Sequence, residues 1–172
     1  MKKEYKYRPY TIEAYDPEWK ERFNREARLI HTIFGELAIR IEHIGSTAIV
    51  GLSGKPTIDV LVLVNDLTAI NSVVTQMIKN GYKDMGAYVT NNSRLFVKEN
   101  NGSRLVNVHV FQTNHVHVKE MLWLRDYLRN HPEKIAEYNI LKRRLYAKYP
   151  NDYGMYRKYK DEWMNNLMRS FK

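Results

Sequence analysis

From Trp19 onward the apolar residues fall at helical intervals: Trp19, Phe23, Ala27, Ile30 and Phe34 recur three or four positions apart and form one stripe. Asp16-Pro17-Glu18 stands in front of it. Asp can accept a free backbone N–H, Pro suits the first helical position and Glu meets the positive end of the dipole, so a helix is expected to start there and to end at Gly35. From Leu37 to Ile44 the period drops to two, with Leu37, Ile39 and Ile41 on one face and Arg40 and Glu42 on the other, which predicts a strand. Small residues dominate Gly45 to Pro56, a loop. Thr57 to Val64 (TIDVLVLV) is β-branched and almost wholly apolar, the pattern of a central strand.

Asp66 to Asn80 predicts a second helix closed by Gly81, its buried face supplied by Leu67, Ile70, Val73, Val74, Met77 and Ile78. Arg94–Lys98 and Arg104–Phe111 flank a segment containing Asn101-Gly102, a pair that favours the positive φ angles of a hairpin turn. After Thr113 strand signals stop. Tyrosines, leucines and basic residues recur at helical spacing, with Pro132 early in one helix and Tyr149-Pro150-Asn151-Asp152 between the last two. The expectation is an α/β (α+β) chain folded as one domain: a mixed or antiparallel sheet with flanking helices over about residues 9–112, and a helical C-terminal third over about 113–172.

At 172 residues, 44% hydrophobic and 27% charged, the chain has ordinary globular usage, which excludes low-complexity and collagen-like classes. It has no Cys, which excludes disulfides, thiol nucleophiles and Cys-based zinc sites and agrees with a cytoplasmic location. The basic start MKKEYKYRPY leads into no apolar segment, so neither a signal peptide nor a spanning helix is expected. Lys and Arg number 28 against 19 Asp and Glu, a net charge of +9. That field attracts anions: nucleic acid, a nucleotide or another phosphorylated molecule.

Chemistry is densest between Ile41 and Val64. Asp59 lies inside an apolar strand, where an unpartnered carboxylate is costly, so it should sit at a strand end, meet a partner or hold a metal. Gly45 allows backbone to approach a phosphate, Ser46 and Thr47 offer hydroxyls and Lys55 a positive charge. Gly54-Lys55 is not a P-loop, because Ile49 stands where its first Gly belongs and Pro56 replaces its Ser or Thr. The structural alternatives are an Asp that caps loop N–H groups and glycines that only shape turns.

EHIGSTA at residues 42–48, GL-x-x-KP at 51–56, Ile58-Asp59, His109, RDYLR at 125–129 followed by His131-Pro132, and the terminal YPND with Tyr156 and Lys160 resemble the GrpB family over roughly residues 9–170. The resemblance implies a nucleotidyltransferase-like fold, and related domains occur fused to dephospho-CoA kinase. The superfamily's signature is Gly-Ser followed, about a dozen residues on, by two acids two positions apart. On a strand those acids share a face and hold two divalent cations. Here Gly45-Ser46 leads to Asp59, but Leu61 stands at the second acid's position.

A mononuclear site is the remaining metal arrangement, with Asp59 joined by His109, or by Glu42 and His43 from the preceding strand. Magnesium or manganese is the ion the resemblance implies, while imidazole donors favour manganese, zinc or iron. Asp59 and His109 are the candidate catalytic pair. Arg125 and Arg129, four apart on one helix face, are candidates to reach a phosphate held at the Gly-Ser turn.

Lys142, Arg143, Arg144 and their neighbours, interleaved with Tyr138, Tyr146, Tyr149, Tyr153, Tyr156 and Tyr159, offer an RNA-facing surface or simply the packing and solvated faces of helices. Three readings stay open: metal-dependent nucleotidyl transfer to an unknown hydroxyl, a non-catalytic module for a nucleotide or CoA-like phosphate, and RNA binding by the C-terminal helices.

Overall fold

The apolar stripe of Trp19, Ile30 and Phe34 is buried on helix α1 (Glu18–Phe34), and Asp16 accepts the Glu18 N–H at 2.9 Å at its start. The computed structural model describes residues 6–169. Among the described residues five strands follow: β1 (Arg40–Ile44), β2 (Ile58–Val64), β3 (Lys83–Asp84), β4 (Ser93–Asn100) and β5 (Ser103–Gln112). Between β2 and β3 lies the short helix α2 (Val74–Lys79), and the chain closes with α3 (Val116–Arg129), α4 (Pro132–Lys148) and α5 (Tyr153–Met168). The strands make one mixed sheet in the order β1-β2-β5-β4-β3, with β2 and β5 parallel and every other pair antiparallel.

Alternation along β2 divides the molecule in two. Val60, Val62 and Val64, with Val106, Val108 and Val110 of β5, pack under α1 and α2 against Trp19, Ile30, Ile70 and Met77. The opposite face carries Leu61, Leu63 and Phe111, which meet Val118, Met121 and Leu122 of α3. A Val-rich strand buried on both sides needs both layers. Beyond α3 the second face is roofed by α4 and α5, joined through Leu128, Tyr138 and Trp163.

Several boundaries differ from expectation for local reasons. The first strand begins at Arg40 because Gly35–Leu37 tightens into a 3-10 turn after α1. The expected helix 66–80 splits into a 3-10 segment, Thr68–Ser72, and α2. Asp66 there accepts both the N–H and hydroxyl of Thr68, and Ser72 donates to Ala69 O, so polar side chains compete with a regular first turn. The hairpin forms with Asn101 and Gly102 at φ +48° and +77°, the double positive φ of a tight hairpin turn. The described part of the C-terminal third contains three helices: His115 caps α3, and Asp152 caps α5. Among the described residues no helix is long and apolar enough to cross a membrane.

Candidate functional site

The site follows from strand direction. β1 runs antiparallel to β2, so the end of one meets the start of the other and Ile44 pairs with Asp59. The turn that leaves β1 therefore lies against the carboxylate. Gly45 has φ +73°, and a Cβ there would stand 2.5 Å from Asp59 Oδ2; both the backbone conformation and the close approach require glycine. On the other side of β2, parallel β5 pairs Asn107 with Asp59 and His109 with Leu61.

Asn107 Nδ2 donates to Asp59 Oδ1 at 2.7 Å, and His109 Nε2 stands 3.6 Å from that oxygen. Burial opposes the charge on Asp59, but His109, Asn107 and the positive Lys55 together outweigh it and hold the carboxyl below its ordinary range. Asp59 is thus an ionised, partnered carboxylate at the mouth of its strand. Its side chain is 26% exposed.

A cleft of about 570 Å³ opens between this face of the sheet and the C-terminal helices. Gly45, Ser46, Lys55, Asp59, Asn107 and His109 form one wall. Arg104 and Lys160 bring further positive charge, Lys142 joins them in the lining, and Leu95, Phe111, Met121 and Met164 supply an apolar part. Lys142 is 1% exposed and donates to Ser46 Oγ at 2.7 Å and to Ser53 O at 2.5 Å. Burial, reinforced by Lys160 and Lys55, pushes its amine well below the usual lysine range. Lys55 Nζ donates to Tyr153 OH at 2.6 Å.

The comparisons with known proteins cover most of the chain. The model described as GrpB protein matches residues 9–170. The chain belongs to the GrpB family. It is 35% identical over 168 residues to the UPF0157 protein YqkA of Bacillus subtilis, covering 98% of this chain but 49% of YqkA, about half that relative's length. The crystal structure of conserved protein GrpB from Enterococcus faecalis superposes with a TM-score of 0.85 at 27% identity, over 94% of this chain and 99% of that one. The Cid1 poly(U) polymerase bound to Mg 3'-dATP superposes at TM-score 0.56 and 15% identity, over 80% of this chain and 43% of Cid1. At that identity the likeness concerns the fold, which is nucleotidyltransferase-like.

In this GrpB-family chain several expected site residues turn elsewhere. His43, one position from Glu42, faces the opposite side of the sheet, where it stacks on Phe23 at 4.4 Å and bonds Thr47 Oγ1 at 2.9 Å. Burial pushes its imidazole down to about 4, with Asp59 pulling it up and Arg129 and Arg125 pushing it further down. Thr47 is 2% exposed, its hydroxyl committed to His43 and Thr57 O, so it offers no donor to the cleft.

Glu42 shares the face of Asp59 but is held by Arg125 at 2.5 Å and by Arg40. Of the two expected arrangements, Asp59 with Glu42 and His43 does not form, and only Asp59 and His109 stand side by side. Among the described residues no three His, Asp or Glu side chains converge to hold a metal. Leu61 is fully buried against Ile44, Leu63 and Phe111. Paired cations do not fit this donor set. A single magnesium ion, which accepts one protein carboxylate plus phosphate oxygens, has Asp59 available.

The arginines are corrected too. Arg125 is spent on Glu42, Asp126 and the His43 carbonyl, and Arg129 donates through Nε and Nη2 to Ala48 O. Arg129 lies outside the cleft lining, while Arg125 lines the cleft with its guanidinium already committed to these partners. Lys142, expected on a basic surface, lies in the cleft wall instead, while Arg143 and Arg144 are exposed. The sequence carried one signal for it: Tyr138, Lys142 and Leu145 occupy the i, i+4 and i+7 positions of the buried face of α4.

Proposed function

We propose that the cleft binds a nucleotide or a closely similar phosphorylated molecule. The observation that carries the reading is the packing of Gly45 onto Asp59, which sets Ser46, Lys142 and Lys55 around one carboxylate at the wall of a 570 Å³ cleft. The phosphates lie at Ser46, Lys55 and Lys160, where positive groups replace the water that hydrates a polyanion. The base lies toward Leu95, Phe111, Met121 and Met164, an apolar surface of the kind that pockets use to bury a ring. When bound, a magnesium ion on Asp59 neutralises phosphate charge. The fold shared with Cid1 supports this reading, as does the charge of the cleft.

Thermal unfolding with ATP, GTP, CTP and UTP, each with and without magnesium, tests it. A ligand at 100 times its Kd stabilises the folded state by about 2.7 kcal/mol, a rise in Tm of roughly 5–10 °C at this chain length. Nucleotide alone is expected to raise Tm and magnesium to raise it further, and Asp59→Asn should remove only the magnesium-dependent part. No rise with any nucleotide under either condition defeats the reading.

A further inference from the structure

We propose that Ser46 is a nucleophile served by Lys142, and that it takes a phosphoryl or nucleotidyl group from a phosphoanhydride held in the cleft. This rests on the reading of the cleft as a phosphate site, and goes beyond it by naming a reacting atom in the chain itself. A serine hydroxyl is a weak nucleophile unless a base lies within about 2.6–3.2 Å. Lys142 Nζ stands 2.7 Å from Ser46 Oγ.

The surroundings of Nζ fix how that base is aimed. One N–H points to Ser53 O at 2.5 Å, and the face of the Tyr138 ring lies 4.1 Å away as a second acceptor. In the neutral amine those two contacts take up both N–H groups, and the bond to Ser46 reverses, the Ser46 hydroxyl donating to the lone pair across the same 2.7 Å. No carboxylate pairs with Lys142 among the described residues, so a permanent charge on it has only the Ser53 carbonyl and the Tyr138 ring face to set against its burial. Lys160 and Lys55 act in the same sense, holding the amine in its basic form.

Ser46 is equally constrained. It follows Gly45 at the opening of a short 3-10 turn, is half-buried, and lines the cleft. Gly54 supports it from beneath: a Cβ at that position would stand 2.7 Å from Ser46 Cβ. Arg129 on Ala48 O and Asn139 on the Ser53 N–H and Gly51 O pin the rest of the loop to the helices. A nucleophile held this closely meets a bound anhydride without further ordering of the loop.

The step balances within the cleft. Ser46 Oγ forms a bond to phosphorus as the bond from phosphorus to the bridging anhydride oxygen breaks. That oxygen leaves with the electron pair, and the serine proton passes to Lys142 Nζ. The resulting ammonium then lies beside a new phosphate ester, so burying its charge becomes favourable.

The test uses the full chain incubated with ATP labelled at the α- or the γ-phosphorus, and with the other three nucleoside triphosphates, at several values between about pH 6 and 9, followed by intact-mass measurement and peptide mapping. One adduct on the peptide that contains Ser46 is expected. Retention of the α label identifies a nucleotidyl group, and retention of the γ label a phosphoryl group. Ser46→Ala should abolish it. Lys142→Arg, which is charged and accepts no proton at these pH values, should slow it by about 100-fold or more and remove any rise with pH expected of the native chain.

If Lys142→Arg fails to fold, the native chain and Ser46→Ala decide the matter. Stabilisation by nucleotide without any adduct overturns the nucleophile while leaving the binding site, as does an adduct on another residue. Absence of both stabilisation and adduct removes the cleft reading as well.

Discussion

His43 shows how much one side chain's placement decides. Its neutral ring, packed on Phe23 and bonded to Thr47, is held down to about 4 against an ordinary 6.5. Below pH 6.5 the unfolded chain therefore binds a proton that the folded chain refuses until about pH 4. Stability from this residue is complete above the unfolded value and is lost as pH falls through that window, by up to about 3 kcal/mol. Urea unfolding of the native chain and of His43→Gln between these values should give a shallower pH dependence for the variant. Equal slopes would mean that the imidazole is not buried as described. Asp59 illustrates the complementary case: its position inside an apolar strand showed that it needed partners, but Asn107 and His109 are 48 and 50 positions further on, and only the parallel pairing of β2 with β5 brings them to it.

At the scale of elements, α3 is joined to the edge strand β1 by a polar clamp. Arg125, with a side chain 7% exposed, holds Glu42 and the His43 carbonyl, and Arg129 holds Ala48 O one turn later. The four-residue spacing did place both guanidinium groups on one helix face, as read from the sequence; what they face is a carboxylate and two carbonyls. Arg125→Met leaves Glu42 with Arg40 alone in a partly buried setting, and should cost about 2 kcal/mol in chemical denaturation. Arg143→Gln, on the exposed side of α4, should change stability by less than about 0.5 kcal/mol. Similar losses for the two would show that the clamp does not hold α3 to the sheet. The hairpin is the opposite kind of element: Asn101-Gly102 was legible because a tight turn is decided within a few residues, whereas the first half of 66–80 was not, because polar side chains redirected a helical pattern.

For the molecule as a whole, a charge of +9 is distributed between two different environments. Part of it lies in the cleft, at Lys55, Arg104 and Lys160; part is solvated, as at Arg143 and Arg144. The tyrosines interleaved with it pack rather than project: Tyr138, Tyr153 and Tyr156 are buried, and Tyr149 and Tyr159 stack on one another. Tight RNA binding needs aromatic faces as well as positive charge, and those faces are largely used by the fold. Fluorescence anisotropy with single-stranded RNA is expected to show only weak association, with a Kd of about 10⁻⁶–10⁻⁴ M at physiological salt that weakens steeply as salt rises. Tight, salt-resistant binding would contradict this account of the C-terminal helices.

The order and kind of the principal elements were contained in the chain itself, because hydrophobic period and turn chemistry act over short stretches; the family, and with it the pairing of the Gly45-Ser46 turn with Asp59, was carried by the resemblance of its motifs. Which face each residue joined was decided by tertiary packing. A strand sends neighbours to opposite sides, so Glu42 and His43 part company once α1 covers one face of the sheet and α3 the other. Lys142 meets Ser46 across 96 positions of sequence for the same reason: the roof formed by α4 exists only when the sheet beneath it does.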